Sequence, residues 1–454
     1  MSEFFFDHAL LPGGWARDVR IGITDGSITA IATDARPEGA EHPAGIAVPG
    51  LANLHCHAFQ RGMAGLAEHG APNEDDFWTW REVMYRFLAV LSPDDVQAIA
   101  AFAYMEMLQA GYTAVAEFHY LHHAPDGEPY ADLAEMAGRI IAAVGESGIG
   151  LTLLPSLYAH GTFGGAPPVP LQRRFLNDPD RFLALVDRCR TLLRAQPDAA
   201  LGIAPHSLRA VSPPELAAVV AATPAGPVHI HAAEQIKEVE QCLAWSGRRP
   251  VEWLLERADI GPRWCLIHAT HMTEAETSGL ARSGAVAGLC PLTEANLGDG
   301  VFRTADFVGR QGHIGIGSDS NISTDPAAEL RQLEYAQRLA QRSRNVLAPE
   351  HGGSTGRRLL EAALTGGAQA TARSVGAIAP GCRGDIVILD PNHPDLCGRT
   401  GDFWIDGWIF SAGRSAVRNV LVGGKVIVTD GVHARQDSII ARYRDVIRRV
   451  AAAS

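Results

Sequence analysis

Two histidines one residue apart, His55 and His57 in "VPGLANLHCHAFQRGMAG" (48–65), stand directly behind an apolar run. In an extended strand, side chains at i and i+2 leave the same face, so both imidazoles can grip one ion. A lone His-x-His is equally a solvated pair in a turn, and the ends of other apolar runs decide between the two. "PVHIHAAE" carries His231 with Glu234 three residues on, "WCLIHAT" carries His268, and "HIGIGSD" ends at Asp319. Three histidine nitrogens and one carboxylate, with a position left for water, suit a catalytic Zn²⁺ or Fe²⁺ site, because a structural zinc site is saturated by protein ligands. Such an ion lowers the pKa of bound water from 15.7 to about 7, so the chemistry is hydrolysis.

Taken singly, each residue has a plainer role. His231 is a core histidine, Glu234 and His268 are solvated loop residues, and Asp319 is a turn residue in Gly-Ser-Asp-Ser. His229 shares the face of His231 deeper in its run and is expected to pack or to support a ligand, and Cys56 is expected to pack. Lys237 and Lys425 are the only lysines, and neither ends the fourth apolar run. A binuclear centre bridged by a carbamylated lysine is therefore not expected, which leaves one metal ion.

The residues need a scaffold that gathers them. Eight short runs, "GIAVPGLANLH", "TAVAEF", "GLTLLPSLY", "LGIAPHS", "PVHIHAAE", "WCLIHAT", "AVAGLCP" and "HIGIGSD", alternate with helical stretches such as "PDDVQAIAAFAYMEMLQAG" and "DPDRFLALVDRCRTLLRAQ". That order predicts an α/β fold, a (β/α)8 TIM-type barrel with its chemistry at the strands' C-terminal ends. Both termini have a different texture. "VRIGITDGSITAIAT", with an Asp-Gly hairpin turn, and the late "GDIVILDPNHP" and "VRNVLVGGKVIVTDGV" predict a small β-sandwich built from both ends. The division expected is 1–47 and 379–454 for the sandwich and a terminal helix, and 48–378 for the barrel, with the Pro-rich "RPEGAEHPAGIA" marking the first passage.

Composition sets limits on partners. The chain has 454 residues, 46% hydrophobic and 20% charged, enough to bury a sizeable core. A formal charge of -12 without a basic run argues against a nucleic-acid partner. "MSEFFFDHALL" lacks the cationic start of a signal peptide, and no stretch reaches the roughly 20 apolar residues of a membrane span, so a cytoplasmic protein with no membrane partner is expected. Seven scattered cysteines without a Cys-x-x-Cys pair fit neither a disulfide framework nor a thiolate zinc knuckle.

His-x-His after the first run, "HAAE" after the fifth, His268 after the sixth and "GSDS" after the eighth together resemble the mononuclear deaminase branch of the amidohydrolase superfamily, over nearly the whole chain. Within it, "LHCHAFQRGMAG", "DFWTWREVMYRF", "EFHYLHH", "PHSLRAVS" and "LTEANLGDG" are similar to the formimidoylglutamate deiminases, which hydrolyse N-formimino-L-glutamate to N-formyl-L-glutamate and ammonia in histidine degradation. The resemblance implies one divalent ion, Zn²⁺ or else Fe²⁺, on His55, His57, His231 and Asp319, with Glu234, His268 and Asp319 in catalysis. It implies substrate contacts at Gln60, Arg81, Tyr120, His206 and Arg209, a small dicarboxylic substrate, and a homodimer.

Charge agrees with that substrate. A guanidinium binds a carboxylate through two parallel hydrogen bonds, so Arg81 and Arg209 suit a dicarboxylic amino-acid derivative better than a purine. The plain alternative for either arginine is a surface ion pair. "WTW" beside Arg81 is a packing edge or a lid, and "GGAPPVPLQRRF" and "HGGSTG" are expected as loops, the first placed to cover substrate. Two rival functions remain at this stage, a deaminase of an aminopurine, cytosine or related heterocycle, and a barrel that binds without catalysis.

Overall fold

The computed structural model, which describes residues 2–70, 75–196 and 198–453, begins with antiparallel strands β1 (Ser2–Leu11), β2 (Gly14–Thr24) and β3 (Ser27–Ala32). Thr24 pairs with Ser27 across Asp25-Gly26, whose φ values of 49° and 80° are the left-handed pair that a type I′ turn needs. The strand β4 (Ile46–Pro49) then runs parallel to β1.

The expected run Gly45–His55 proves to be two strands separated at Gly50. β4 stays in the terminal sheet through Pro49, two residues past the passage expected at 47/48, and β5 (Leu51–Cys56) starts the barrel. Parallel strands follow as β6 (Tyr112–His119), β7 (Gly150–Leu157), β8 (Ala200–Leu201), β9 (Ala204–Pro205), β10 (Val228–Ala232), β11 (Trp264–His268), β12 (Val286–Leu289) and β13 (His313–Ile316). The expected fourth run is broken into β8 and β9, both of which pair with β7.

These strands form two parallel arcs, β5-β6-β7-β8 and β10-β11-β12-β13. Parallel bridges join the arcs at both seams, Ile203 to Val228 and Ser207 to His231 on one side, Cys56 to Asp319 on the other. The ring so made is the (β/α)8 barrel, and strands such as β6 and β7 are buried along their whole length because both faces are covered. Leu54, Ile267 and Val286 fill its interior, while a larger apolar cluster lies between strands and helices.

The helices begin where capping chemistry places them. Asp76 accepts the N–H groups of Trp78 (2.8 Å) and Thr79 (3.1 Å) to start α1 (Phe77–Leu88), and Ser92 caps α2 (Pro93–Ala110), which ends at Gly111 with φ 110°. The helix Pro179–Leu192 starts at Asp178, which accepts Arg181 N–H at 2.8 Å. Late in the chain β14 (Ile386–Leu389), β15 (Val417–Val422), β16 (Lys425–Thr429) and β17 (Val432–His433) complete an eight-stranded sheet in the order β17-β16-β15-β14-β4-β1-β2-β3. The helix Gln436–Ala453 then packs on α2, with Tyr443 stacked on Phe102 at 3.9 Å between ring centroids. Among the described residues no helix is long and apolar enough to cross a membrane.

Candidate active site

His55 lies near the end of β5 and His57 just past it, and the seam to the segment after β13 fixes both. His57 N–H donates to Asp319 O at 3.0 Å, and Asp319 N–H donates to His55 O at 2.9 Å. Side chains brace the same seam. Asn53 Nδ2 donates to Ser318 Oγ (2.6 Å), Ser318 Oγ to Asn321 Oδ1 (2.6 Å), and Asn321 Nδ2 to His57 O (2.9 Å). Gly317 permits this approach, since a Cβ there would fall 2.8 to 2.9 Å from His55 atoms. Beyond it, Asp319 takes a left-handed φ of 45°, and His268 takes 67° at the end of β11. Such backbone is costly for non-glycine residues, and here it is adopted by two residues whose side chains line the cavity at the barrel mouth.

Four of these side chains converge. Ligand-type atoms of His55, His57, His231 and Asp319 all lie within 4.8 Å of one another, and all four residues are buried. Asp319 Oδ1 stands 3.2 Å from His55 Nε2 and 3.4 Å from His57 Nε2, and the Nε2 atoms of His55 and His231 are 3.2 Å apart. Four donors about 2.1 Å from one centre would be separated by roughly 3.4 Å, so the quartet has the dimensions of a metal site. Its tautomers fit as well. His57 Nδ1 donates to Phe118 O (2.9 Å) and His231 Nδ1 to His206 O (3.0 Å), which leaves both Nε2 lone pairs for the centre. Burial holds the histidines neutral, with His55 lowered to about 3. For Asp319, burial would raise the pKa, but His55, His268 and His57 hold it below the usual carboxylate range.

Glu234 and His268 flank the quartet. His268 Nε2 lies 3.7 Å from Glu234 Oε1 and 3.7 Å from Asp319 Oδ2, and it has no hydrogen-bond partner among the described residues. Those distances leave a gap that a water or a reacting group can bridge. Burial raises the pKa of Glu234 against the pull of His268 and Arg209. His268 moves the other way from what burial dictates, because Glu234, Glu294 and Asp319 outweigh desolvation and hold it at about 10.

Outward from this centre, a cavity is lined by Gln60, Arg81, Tyr120, His206 and Arg209 as well as by His57, His231, Glu234, His268 and Asp319. His55 alone of the expected site residues lies beneath it, fully buried. Gln60 Nε2 donates to Tyr120 Oη (2.9 Å), and Arg81 Nε donates to Tyr85 Oη (2.6 Å). Of the two indoles beside Arg81, Trp80 lines the cavity, and Trp78 carries Arg81, Arg209 and Lys237 over its ring at 5.3, 5.9 and 4.7 Å.

Other residues fall where the plainer reading put them. His229 is buried and donates Nε2–H to Ala370 O at 2.8 Å, outside the quartet. Cys56 is buried, with Sγ 3.6 Å from Asn321 Oδ1. The first expected loop brings Phe175 to the cavity and Gln172 to Tyr158, whose hydroxyl accepts Nε2–H at 2.7 Å. The second supplies Ser354, which caps the helix Thr355–Thr371.

Sequence reasoning passed over several residues. Tyr158 ends the third apolar run and lines the cavity, so the rule that found His231 would have found it. Glu294, inside "LTEANLGDG", and Glu117, a carboxylate within "TAVAEF", carried the signal of an acid in or just beyond a buried strand. Asn53 and Asn321 carried none, because their value lies in a seam formed only by the closed ring.

Comparison with known proteins accords with the geometry. The family model described as amidohydrolase family matches residues 46–427. The chain belongs to the amidohydrolase family. A second family model, the N-terminal domain of formimidoylglutamate deiminase HutF, matches residues 1–45. This amidohydrolase is 53% identical to a formimidoylglutamate deiminase of Pseudomonas aeruginosa over 98% of the chain and 99% of the relative. It is 29% identical to a 5-methylthioadenosine/S-adenosylhomocysteine deaminase of Natronomonas pharaonis, over 85% of the chain and 82% of the relative. Among solved structures, an amidohydrolase from Brucella melitensis superposes with a TM-score of 0.95 at 50% identity, covering 99% of this amidohydrolase and all of that chain. A zinc-bound adenosine deaminase from Xanthomonas campestris, at 21% identity and a TM-score of 0.80, shares the fold.

Proposed function

We propose that this amidohydrolase hydrolyses the formimino C–N bond of N-formimino-L-glutamate, giving N-formyl-L-glutamate and ammonia in histidine degradation. The observation that carries the reading is one cavity lined by two guanidiniums, the Glu234–His268 pair and three members of the His55, His57, His231 and Asp319 quartet, with His55 directly beneath. The relative of the same activity, matched over nearly its whole length, supports it.

Each residue then has a role in the chemistry. A divalent ion on His55, His57, His231 and Asp319, read here as Zn²⁺ with Fe²⁺ as the alternative for the same donors, would supply Lewis acidity and a water that ionises near neutral pH. Arg81 and Arg209 bind the substrate carboxylates, with Tyr120, Gln60 and His206 completing the polar lining. Asp319 Oδ2, which faces the gap, takes the proton of the attacking water, and His268 holds the oxygen in line with the formimino carbon. Glu234, kept protonated more readily than an exposed glutamate, delivers a proton to the formimino nitrogen as the oxygen adds. On collapse it takes the remaining hydroxyl proton while the proton held by Asp319 passes to the nitrogen, which leaves as ammonia and gives the formyl carbonyl. The apolar rings of Phe77, Trp80 and Phe175 around the cavity exclude bulk water.

The same reading divides the chain into a barrel unit near 48–378 flanked by terminal segments that share one sheet, and places a homodimer in the cytoplasm without a nucleic-acid partner. Ammonia release from formimino-glutamate, formimino-aspartate, guanine, adenine and cytosine tests the substrate. Activity on formimino-glutamate alone is expected, and turnover of a heterocycle without it would overturn the assignment.

A further inference from the structure

β12 ends without a metal-quartet or acid residue of its own; its contribution comes one turn later. In the helix Pro291–Leu297, Glu294 is buried, and its Oε1 accepts Cys290 N–H at 2.9 Å and lies 3.3 Å from His268 Nδ1. The helix is tied to the Asp319 loop, since Thr293 Oγ1 contacts Ser318 O (3.1 Å) and Ser320 Oγ (2.9 Å), and Leu292 N–H donates to Glu329 Oε2 at 2.9 Å. Glu294 is therefore held from behind, and its ion-pair partner among the described residues is His268.

We propose that Glu294 is a positioning residue for the reaction, one that anchors His268 through Nδ1 and so aims Nε2 into the gap between Glu234 and Asp319. The geometry requires it, because an imidazole hydrogen-bonded at Nδ1 has one remaining nitrogen, and here that nitrogen lies 3.7 Å from both carboxylates with nothing else bonded to it. His268 sits at the end of β11 on left-handed backbone, which leaves its ring without a regular strand neighbour beyond it. A carboxylate behind the ring supplies the orientation that a metal-bound histidine draws from its carbonyl partner. Glu294 touches no substrate in this account and acts through His268. The inference deepens the proposed reaction and rests on it.

The test uses the metal-loaded full chain and whichever substrate the panel identifies, so wild-type activity judges the substrate assignment and the variants judge Glu294. Glu294→Leu is expected to lower kcat about 10- to 100-fold with KM near wild type, and Glu294→Gln, whose amide oxygen still accepts both N–H groups, to recover most of the loss. In a His268→Ala background, Glu294→Leu should change kcat by less than about threefold, since its effect passes through the missing ring. An equal loss in that background, a loss matched by missing metal or a lowered Tm, or wild-type kcat in Glu294→Leu would each overturn the proposal.

Discussion

Arg209 Nη2 stands 3.7 Å from Glu234 Oε2, with both side chains buried, so the cation assigned to substrate also faces the acid assigned to the leaving group. Arg209→Ala should weaken binding of a carboxylate by about 1.5 to 3 kcal/mol, as expected for a charge-assisted pair. Steady-state kinetics should show a fall in kcat/KM of roughly 10- to 150-fold, carried mainly by KM. Removing the cation also lets Glu234 keep its proton to higher pH, because Arg209 is one of the groups pulling its pKa down. The Glu234 limb of the pH profile should therefore move upward, and unchanged kcat/KM with an unchanged profile would contradict both assignments.

Glu234→Gln keeps the size of the side chain and removes the transferable proton. A general acid contributes about 10²- to 10⁴-fold, so kcat should fall by that factor while metal content and KM stay near wild type. Metal analysis beside ammonia assays checks this, and a variant that loses metal in proportion to activity would move Glu234 into the ligand set.

Dialysis against a chelator should abolish ammonia release, and added Zn²⁺ or Fe²⁺ should restore it. His57→Ala and His231→Ala each remove one corner of the quartet and should leave substoichiometric metal at ordinary concentrations. Because an ion that binds only the folded chain stabilises it, thermal melts should show a lower Tm for the metal-free protein. Full activity in metal-free protein would rule out the hydrolytic quartet.

Glu117 sets a pH dependence of stability rather than of rate. It is buried beneath the His57 segment, accepting Ala58 N–H (2.9 Å) and Tyr104 Oη–H (2.9 Å), and burial raises its pKa from 4.5 to about 7. A folded-state pKa above the unfolded one favours folding fully below about 4.5, and that contribution is lost as pH rises through 7. Glu117→Gln cannot ionise, so its denaturation midpoint should fall less between pH 5 and pH 8 than that of the wild type. Equal falls in the two proteins would remove Glu117 as the cause.

Much of this was legible before the fold was known. The Asp25-Gly26 turn and the polar ends of apolar runs are local signals, and local physics fixes them. The split at Gly50 was not legible, because β4 and the start of β5 read as one run and only the pairing of Ile46–Pro49 with Ile386–Leu389 assigns those four residues to another sheet. The break between β8 and β9 is likewise tertiary. Asn53 and Asn321 acquire their partners only when the ring closes, and Glu294 acquires His268 only when β11 and β12 lie side by side. The site's charged residues announced themselves by type; the groups that hold them did not.

The place of β4 between β1 and β14 has a consequence for biosynthesis. A nascent chain exposes Phe4, Phe6, Ile21 and Ile23 long before Ile386 and Ile388 leave the ribosome to cover them. At 5–20 residues per second that wait is roughly 20 to 70 s. For that interval the amino-terminal hairpin keeps an apolar face that its own chain has not yet covered.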